Sequence, residues 1–126
     1  MTRYDYHKPE TIEEALSLMA CLEGAKYIAG GTDVMVLIKQ KKLMPKHLIS
    51  IRNIRDLGSI DTGNGLKLGA AATHNHIDGN DVIRRWYTAL TDATGHLGSR
   101  QIRNVATIGG NICNAAPSAD TACPLL

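Results

Sequence analysis

Apolar positions in the first third of the chain recur at helical spacing, give way to a short run, and return to helical spacing. Ile12, Ala15, Leu16, Met19 and Ala20 lie three and four apart on one face, the stripe of an amphipathic helix. Thr11-Ile12-Glu13-Glu14 supplies a capping box, with Thr11 at the N-cap and Glu14 at N3, and Pro9 lies just upstream. Gly24 is a natural stop, so the pattern predicts a helix over about Thr11–Leu22. Tyr27-Ile28-Ala29 has the length of a buried strand and runs straight into Gly30-Gly31-Thr32-Asp33. Val34, Leu37 and Ile38 open a second helical face that ends in Lys39-Gln40-Lys41-Lys42, and beyond Pro45 the segment His47–Ile51 reads as another strand. With a first strand near Tyr4–Tyr6 the order is β-α-β-α-β, which implies parallel pairing through right-handed crossovers.

The pattern changes after Asn53. Leu57–Ile60 and Leu66–Ala70 flank the turn-rich Asp61-Thr62-Gly63-Asn64-Gly65 and read as a hairpin. A helix over Asp81–Leu90, capped by Asn80 or Asp81, follows. Gly95–Asn111 carries four glycines and mixed polarity, and is expected to be largely irregular. The fold class is α+β: a small parallel subdomain over residues 1–54, then part of a second subdomain with an antiparallel sheet over 55–126, the boundary falling near Asn53–Leu57.

Composition narrows this picture. The chain has 126 residues, 44% of them hydrophobic, with four Tyr, one Trp and no Phe, so a core must be built from aliphatic side chains. Fourteen Lys and Arg against twelve Asp and Glu give a formal charge of +2, which argues against nucleic acid as a partner. No stretch approaches the ~18 apolar residues that cross a bilayer, and Met1–Tyr6 lacks the apolar core of a signal peptide. A cytoplasmic protein is expected. Cys21, Cys113 and Cys123 have no C-x-x-C spacing and read as small buried hydrophobes in a reducing compartment, so no metal site is expected. The final Cys123-Pro124-Leu125-Leu126 is expected to be a cut through a larger architecture, exposing surface that favours self-association.

The candidate chemistry lies in the glycines. A strand that turns sharply into a helix leaves backbone N–H groups unpaired, and they can bind an anion. Gly30 and Gly31 allow such a turn at positive φ with no Cβ to hold a phosphate off. Thr32 adds a hydroxyl, while Asp33 would repel a diphosphate and is expected to cap the helix or accept from a hydroxyl. Alone, this stretch is equally a plain tight turn; it is neither a P-loop nor the Rossmann G-x-G-x-x-G. Thr107-Ile108-Gly109-Gly110-Asn111 repeats the pairing of two glycines with a hydroxyl residue and adds an amide, after a stretch made positive by Arg100 and Arg103. Two facing turns suit a diphosphate, provided that they lie within ~15 Å of one another.

These two motifs, with Leu97–Asn104 and Ala116-Pro117-Ser118-Ala119-Asp120, resemble the FAD-binding (medium) subunit of the molybdenum hydroxylases, the family of xanthine dehydrogenase and aerobic carbon monoxide dehydrogenase. The resemblance spans the whole chain but only the N-terminal part of that subunit. It implies the family's flavoprotein fold, a parallel three-stranded subdomain and a larger one with an antiparallel sheet, with FAD between them. By the same resemblance, a large subunit holding the molybdenum cofactor hydroxylates substrate, two 2Fe–2S clusters in a small subunit carry electrons to FAD, and NAD or another acceptor receives them. Tyr27, Ile28, Ala29, Gly30, Gly31, Thr32, Asp33 and Val34 would line the diphosphate and neighbouring ribityl or ribose groups. Thr107, Ile108, Gly109, Gly110 and Asn111 would close the other side through backbone N–H groups, the Thr107 hydroxyl and the Asn111 amide. Asp120 matches a position that hydrogen-bonds a polar cofactor group, and Leu97 one that makes an apolar contact. No residue is assigned a catalytic role. The family's C-terminal domain is absent, as are a cysteine-rich insertion for a further cluster and a first-turn histidine for covalent flavin.

Three other features have plainer readings. His74 and His76 would share a face in an extended segment and could bind metal, but without a third ligand beyond Asp78 they read as solvated loop histidines. Lys39, Lys41, Lys42 and Lys46 read as an exposed helix end; the alternative, a small basic adaptor, predicts salt-dependent nucleic-acid binding. Trp86-Tyr87 reads as core or subunit interface. The alternative to an electron-transfer component is a truncated, non-catalytic module that binds FAD or another nucleotide.

Overall fold

The computed structural model describes residues 3–116 and 119–126. Thr11 stands in extended backbone and its side chain accepts from the Glu14 N–H at 3.1 Å, starting α1 (Ile12–Cys21). The Glu14 carboxylate reaches back to the N–H of Glu10 at 3.0 Å rather than to that of Thr11. The buried face of α1 is rotated from the expected stripe: Ala15, Leu18 and Met19 pack inward, while Leu16 is exposed.

Three strands follow the expected order: β1 (Asp5–His7), β2 (Ala25–Ile28) and β3 (His47–Ser50), with α2 (Val34–Lys39) between the last two. They form a parallel sheet in the order β1-β3-β2, with Tyr6 opposite Leu48 and Tyr27 opposite Ile49. The chain passes over the place of β3 to reach β2 and then comes back. With both crossovers of one hand, that reversal puts α1 and α2 on opposite faces. The cores agree, because successive residues of a strand point to opposite sides. Leu48 packs with Ile28 and Ile38 on the α2 side, and Ile49 with Ala15 and Ile54 on the α1 side.

Beyond β3 the hairpin is shorter than the sequence suggests. Arg55–Gly58 forms a single helical turn, α3, and only β4 (Ile60–Asp61) and β5 (Lys67–Leu68) pair antiparallel. Burial explains the difference: Ile54 is fully inside the first core and Leu57 packs against it, so the chain must coil there. The helices α4 (His74–Asp78), α5 (Asp81–Trp86), α6 (Thr88–His96), α7 (Arg100–Val105) and α8 (Ile108–Asn114) follow, then a 3₁₀ turn at Cys123–Leu125. Ala72, Ile77, Ile83, Leu90 and Ile108 make their core, with Ile60, Leu66 and Leu68 of the hairpin packed on it.

Two expectations are corrected here. The helix from Asp81 is capped by the Asn80 side chain as expected but breaks at Tyr87, with no glycine or proline to announce it. The stretch Gly95–Asn111 is mostly helical. Ser99 Oγ accepts from the Ile102 N–H at 3.2 Å and Thr107 Oγ1 from the Gly110 N–H at 3.1 Å, so two side-chain caps organise a segment whose glycines suggest a loop.

Candidate functional site

The first glycine turn leaves the carboxyl end of β2, the end of a parallel sheet at which ligands bind. Gly31 has φ +74, a conformation that side chains disfavour, and it lets the chain swing from strand into α2. Gly30 is required for a different reason. A Cβ there would lie 2.1 Å from the Val105 carbonyl oxygen and 2.9 Å from Ala106 Cα. Ala29-Gly30 is therefore seated directly on the backbone that leads into the second turn. Val105 is two residues from Thr107, roughly 7 Å of extended chain, so the turns are neighbours and the ~15 Å limit is met.

Their donors differ. Among the described residues, the N–H groups of Gly30, Gly31, Thr32 and Asp33 find no backbone acceptor. Asp33 occupies the N-cap position of α2, but its exposed side chain makes no capping hydrogen bond, against expectation; the carboxylate stays in water. In the second turn the Ile108 N–H donates to Ala72 O at 3.0 Å, Gly109 to Ala70 O at 2.9 Å, Gly110 to the Thr107 hydroxyl and Asn111 to Thr107 O at 3.0 Å. The expectation that this turn closes on a diphosphate through those N–H groups is corrected: acceptors within the chain occupy them. What remains are side-chain donors, the Thr107 O–H and the Asn111 amide N–H groups. Asn111 Oδ1 accepts from the hydroxyl of the fully buried Thr121, which fixes the side chain against the returning chain.

The other expected residues are divided. Tyr27 packs in the α1-side core and its hydroxyl donates to Ala15 O at 3.3 Å, while Ile28 and Val34 belong to the α2-side core. These three support the turn from within the fold. Leu97 caps the end of α6, half-buried, and is tied to α7 by Arg103 Nη1, which donates to its carbonyl and, at 2.9 Å, to that of Gly98. Asp120 is exposed and adjacent to Thr121. Pro117 and Ser118, in the stretch Ala116–Asp120 that carries part of the resemblance, lie outside the described residues.

One histidine expected to be solvated is buried. His74 has no exposed surface, and neither ring nitrogen has a hydrogen-bond partner among the described residues. Burial pushes its pKa below the ordinary histidine value, against an opposing pull from the Asp120 carboxylate. It opens α4, whose cap is the Thr73 hydroxyl accepting from the His76 N–H at 3.2 Å. That T-x-x-H cap was the legible signal: it places both histidines on a helix, where alternate residues do not share a face. Among the described residues, no group of three or more His, Cys, Asp or Glu could hold a metal ion, and no helix is long and apolar enough to cross a membrane.

A parallel three-stranded layer whose carboxyl end opens into a glycine turn, seated on the backbone that leads into a second one, is a build that suits a phosphate-bearing cofactor. The family described as FAD binding domain in molybdopterin dehydrogenase matches residues 2–126, and the chain belongs to it. It is 38% identical over 123 residues to the xanthine dehydrogenase FAD-binding subunit of Escherichia coli O157:H7, covering 96% of this chain and 42% of that one. Among solved structures it is similar to the reconstituted CO dehydrogenase from Oligotropha carboxidovorans, with TM-score 0.89, 32% identity, and coverage of 94% of this chain and 42% of that one. Quinoline 2-oxidoreductase from Pseudomonas putida 86 superposes with TM-score 0.90 at 26% identity, over 94% of this chain and 42% of the other. The chain thus spans less than half the length of these relatives. The α+β flavoprotein fold and FAD as the family's cofactor follow from this membership.

Proposed function

We propose that the chain holds the diphosphate of FAD between its two glycine turns, as the FAD-binding part of an oxidoreductase of the molybdopterin dehydrogenase type. The contact of Gly30 with the Val105–Ala106 backbone carries this reading, because it sets an open row of backbone donors beside the Thr107 hydroxyl and the Asn111 amide. The residues fit the cofactor: Gly30 and Gly31 present no side chain toward the turn's opening, and a buried diphosphate needs several donors that cost no reorganisation. Ala29 to Asp33 bind from one side, through the open N–H groups of Gly30 to Asp33. Thr107 and Asn111 bind from the other, with Leu97 and Asp120 at the margins. The two turns belong to two subdomains, 1–54 and 55–126, whose shared boundary residues Ile54 and Leu57 pack into the first core.

Bound FAD would supply the redox chemistry through its isoalloxazine ring, and the chain supplies position and electrostatics. In a complex of that type, 2Fe–2S clusters of a small subunit would deliver electrons to the flavin, NAD or another acceptor would receive them, and a molybdopterin-containing large subunit would handle the substrate. The assembly is cytoplasmic. Titration of the 126-residue chain with FAD tests the binding step: expected are flavin absorbance near about 450 nm that stays with the protein on a desalting column, and quenched flavin fluorescence. A chain that remains colourless overturns the reading. Co-purification of molybdopterin and iron–sulfur subunits with the native protein tests the rest.

A further inference from the structure

Among the described residues, two side chains bury polar atoms without a partner: Arg103, whose Nη1 is nonetheless bonded, and His74, whose ring nitrogens are both unpaired. A neutral imidazole carries one donor and one acceptor, and burying both unpaired is unfavourable, so a native site that keeps them has a partner for them in its working state. Its position limits the choice. The His74 N–H donates to Ala106 O at 3.1 Å, and Thr73 and Thr107 form an antiparallel bridge, so the ring sits at the base of the second glycine turn. From the other side, Thr121 has no exposed surface and donates to Asn111 Oδ1, bringing the returning segment Ala119–Thr121 onto α8. Asp120 thus stands beside a fixed residue with its own carboxylate exposed.

The charged and titratable side chains on the elements packed against α4 are Asp92 and His96 on α6, Arg100 and Arg103 on α7, and Asp81, Arg84 and Arg85 on α5, while His76 and Asp78 lie on α4 itself. Burial disfavours the charged form of the ring, and the Asp120 carboxylate pulls the other way, toward protonation.

We propose that His74 is a positioning residue of the cofactor site: its ring N–H is the buried donor onto which the Asp120 carboxylate closes, holding Ala119–Thr121 across the second glycine turn. The pairing itself is a property of the chain alone; its effect on ligand binding rests on the FAD reading above. Because the Asp120 side chain lies at the surface, replacing it leaves the fold intact and reports on His74 without disturbing the core.

Histidine-selective nitrogen NMR of the 126-residue chain, with and without FAD, compares wild type with Asp120→Asn. Expected for His74 is a neutral ring in one tautomer, with an exchange-protected N–H whose resonance moves in Asp120→Asn. A ring spectrum indifferent to that substitution overturns the pairing, whether or not FAD binds. FAD titrations of His74→Leu, His74→Gln, Asp120→Asn and the His74→Leu/Asp120→Asn double variant then test the consequence. His74→Leu and Asp120→Asn should each weaken FAD on the order of tenfold, the double variant no more than either, and His74→Gln should recover most of the loss by restoring a donor. Additive losses, or wild-type affinity in His74→Leu, would show a ring that only fills space. If wild type binds no FAD, the functional reading fails, and the NMR comparison still decides the pairing.

Discussion

Ala29–Asp33 and Thr107–Asn111 both set two glycines beside a threonine, yet among the described residues the first leaves the N–H groups of Gly30 to Asp33 without a backbone acceptor, while the second returns each N–H from Ile108 to Asn111 to an acceptor in the chain. The difference follows from what precedes each turn. Ala29 comes straight off a strand, and strand hydrogen bonding stops before the glycines begin. Ile108 follows the Thr73–Thr107 bridge, so the backbone of Ala70 and Ala72 lies within reach of its first N–H groups. A glycine pair in sequence therefore says that backbone comes close, not to what. In the first turn the close neighbour is the Val105–Ala106 backbone that leads into the second turn; in the second it is Ala70, where a Cβ on Gly109 would lie 2.6 Å from the carbonyl oxygen.

The substitution that presses hardest on this contrast is Gly30→Ala. Its Cβ meets backbone that no rotamer change can relieve, so the two turns must part. A loss of about 3 kcal/mol in urea unfolding is expected, together with loss of retained FAD. Wild-type stability in this variant would mean that the turns are not seated on one another.

Gly109→Ala separates stability from binding. The clash with Ala70 should cost about 2 kcal/mol. Its N–H is already committed, so FAD affinity measured where the variant is folded should change by less than about threefold. A large affinity loss without a stability loss would instead make the second turn a backbone-donor site like the first.

Asn111→Ala asks whether the second turn acts through side chains. It removes the acceptor of the Thr121 hydroxyl and the amide donors together, an expected cost of about 1 kcal/mol in stability and roughly tenfold in FAD affinity. Thr32→Ala, in a turn whose backbone does the binding, should weaken FAD by less. Equal effects from the two substitutions, read by fluorescence titration, would erase the distinction between the turns.

Most of the parallel layer was legible, because its signals are local: the Thr11 cap, the strand-length segment His47–Ile51, and the glycines after β2 all act within a few residues. The orientation of α1 was not. Leu16 and Leu18 are equally apolar, and only the position of Ile49 beneath the helix decides that Leu18 turns inward. The second half was harder for the same reason. Gly109 is helical because Ala70 stands against it, and Ala70 is nearly forty residues earlier in the chain. The site divided along this line: the glycines and threonines could be named, but which N–H groups stay open depends on long-range pairing. The place of His74 depends on the Thr73 cap, a local signal, and on burial by helices that meet only in the fold.

The smallest expected effect concerns pH. His74 is held below its ordinary value by burial, so between the folded value and about 6.5 the unfolded chain binds more protons than the folded one. Stability contributed by the neutral ring is complete above about 6.5 and is lost as the pH falls from there toward the folded value. Thermal melts should therefore decline below about pH 6.5, and His74→Gln should decline less, having no imidazole to protonate. Asp120→Asn sharpens the test: without that carboxylate nothing opposes the effect of burial, so the acid decline should steepen relative to wild type. A curve for His74→Gln parallel to wild type would show that the ring takes up its proton without cost, and that the base of the second turn is wetter than its burial implies.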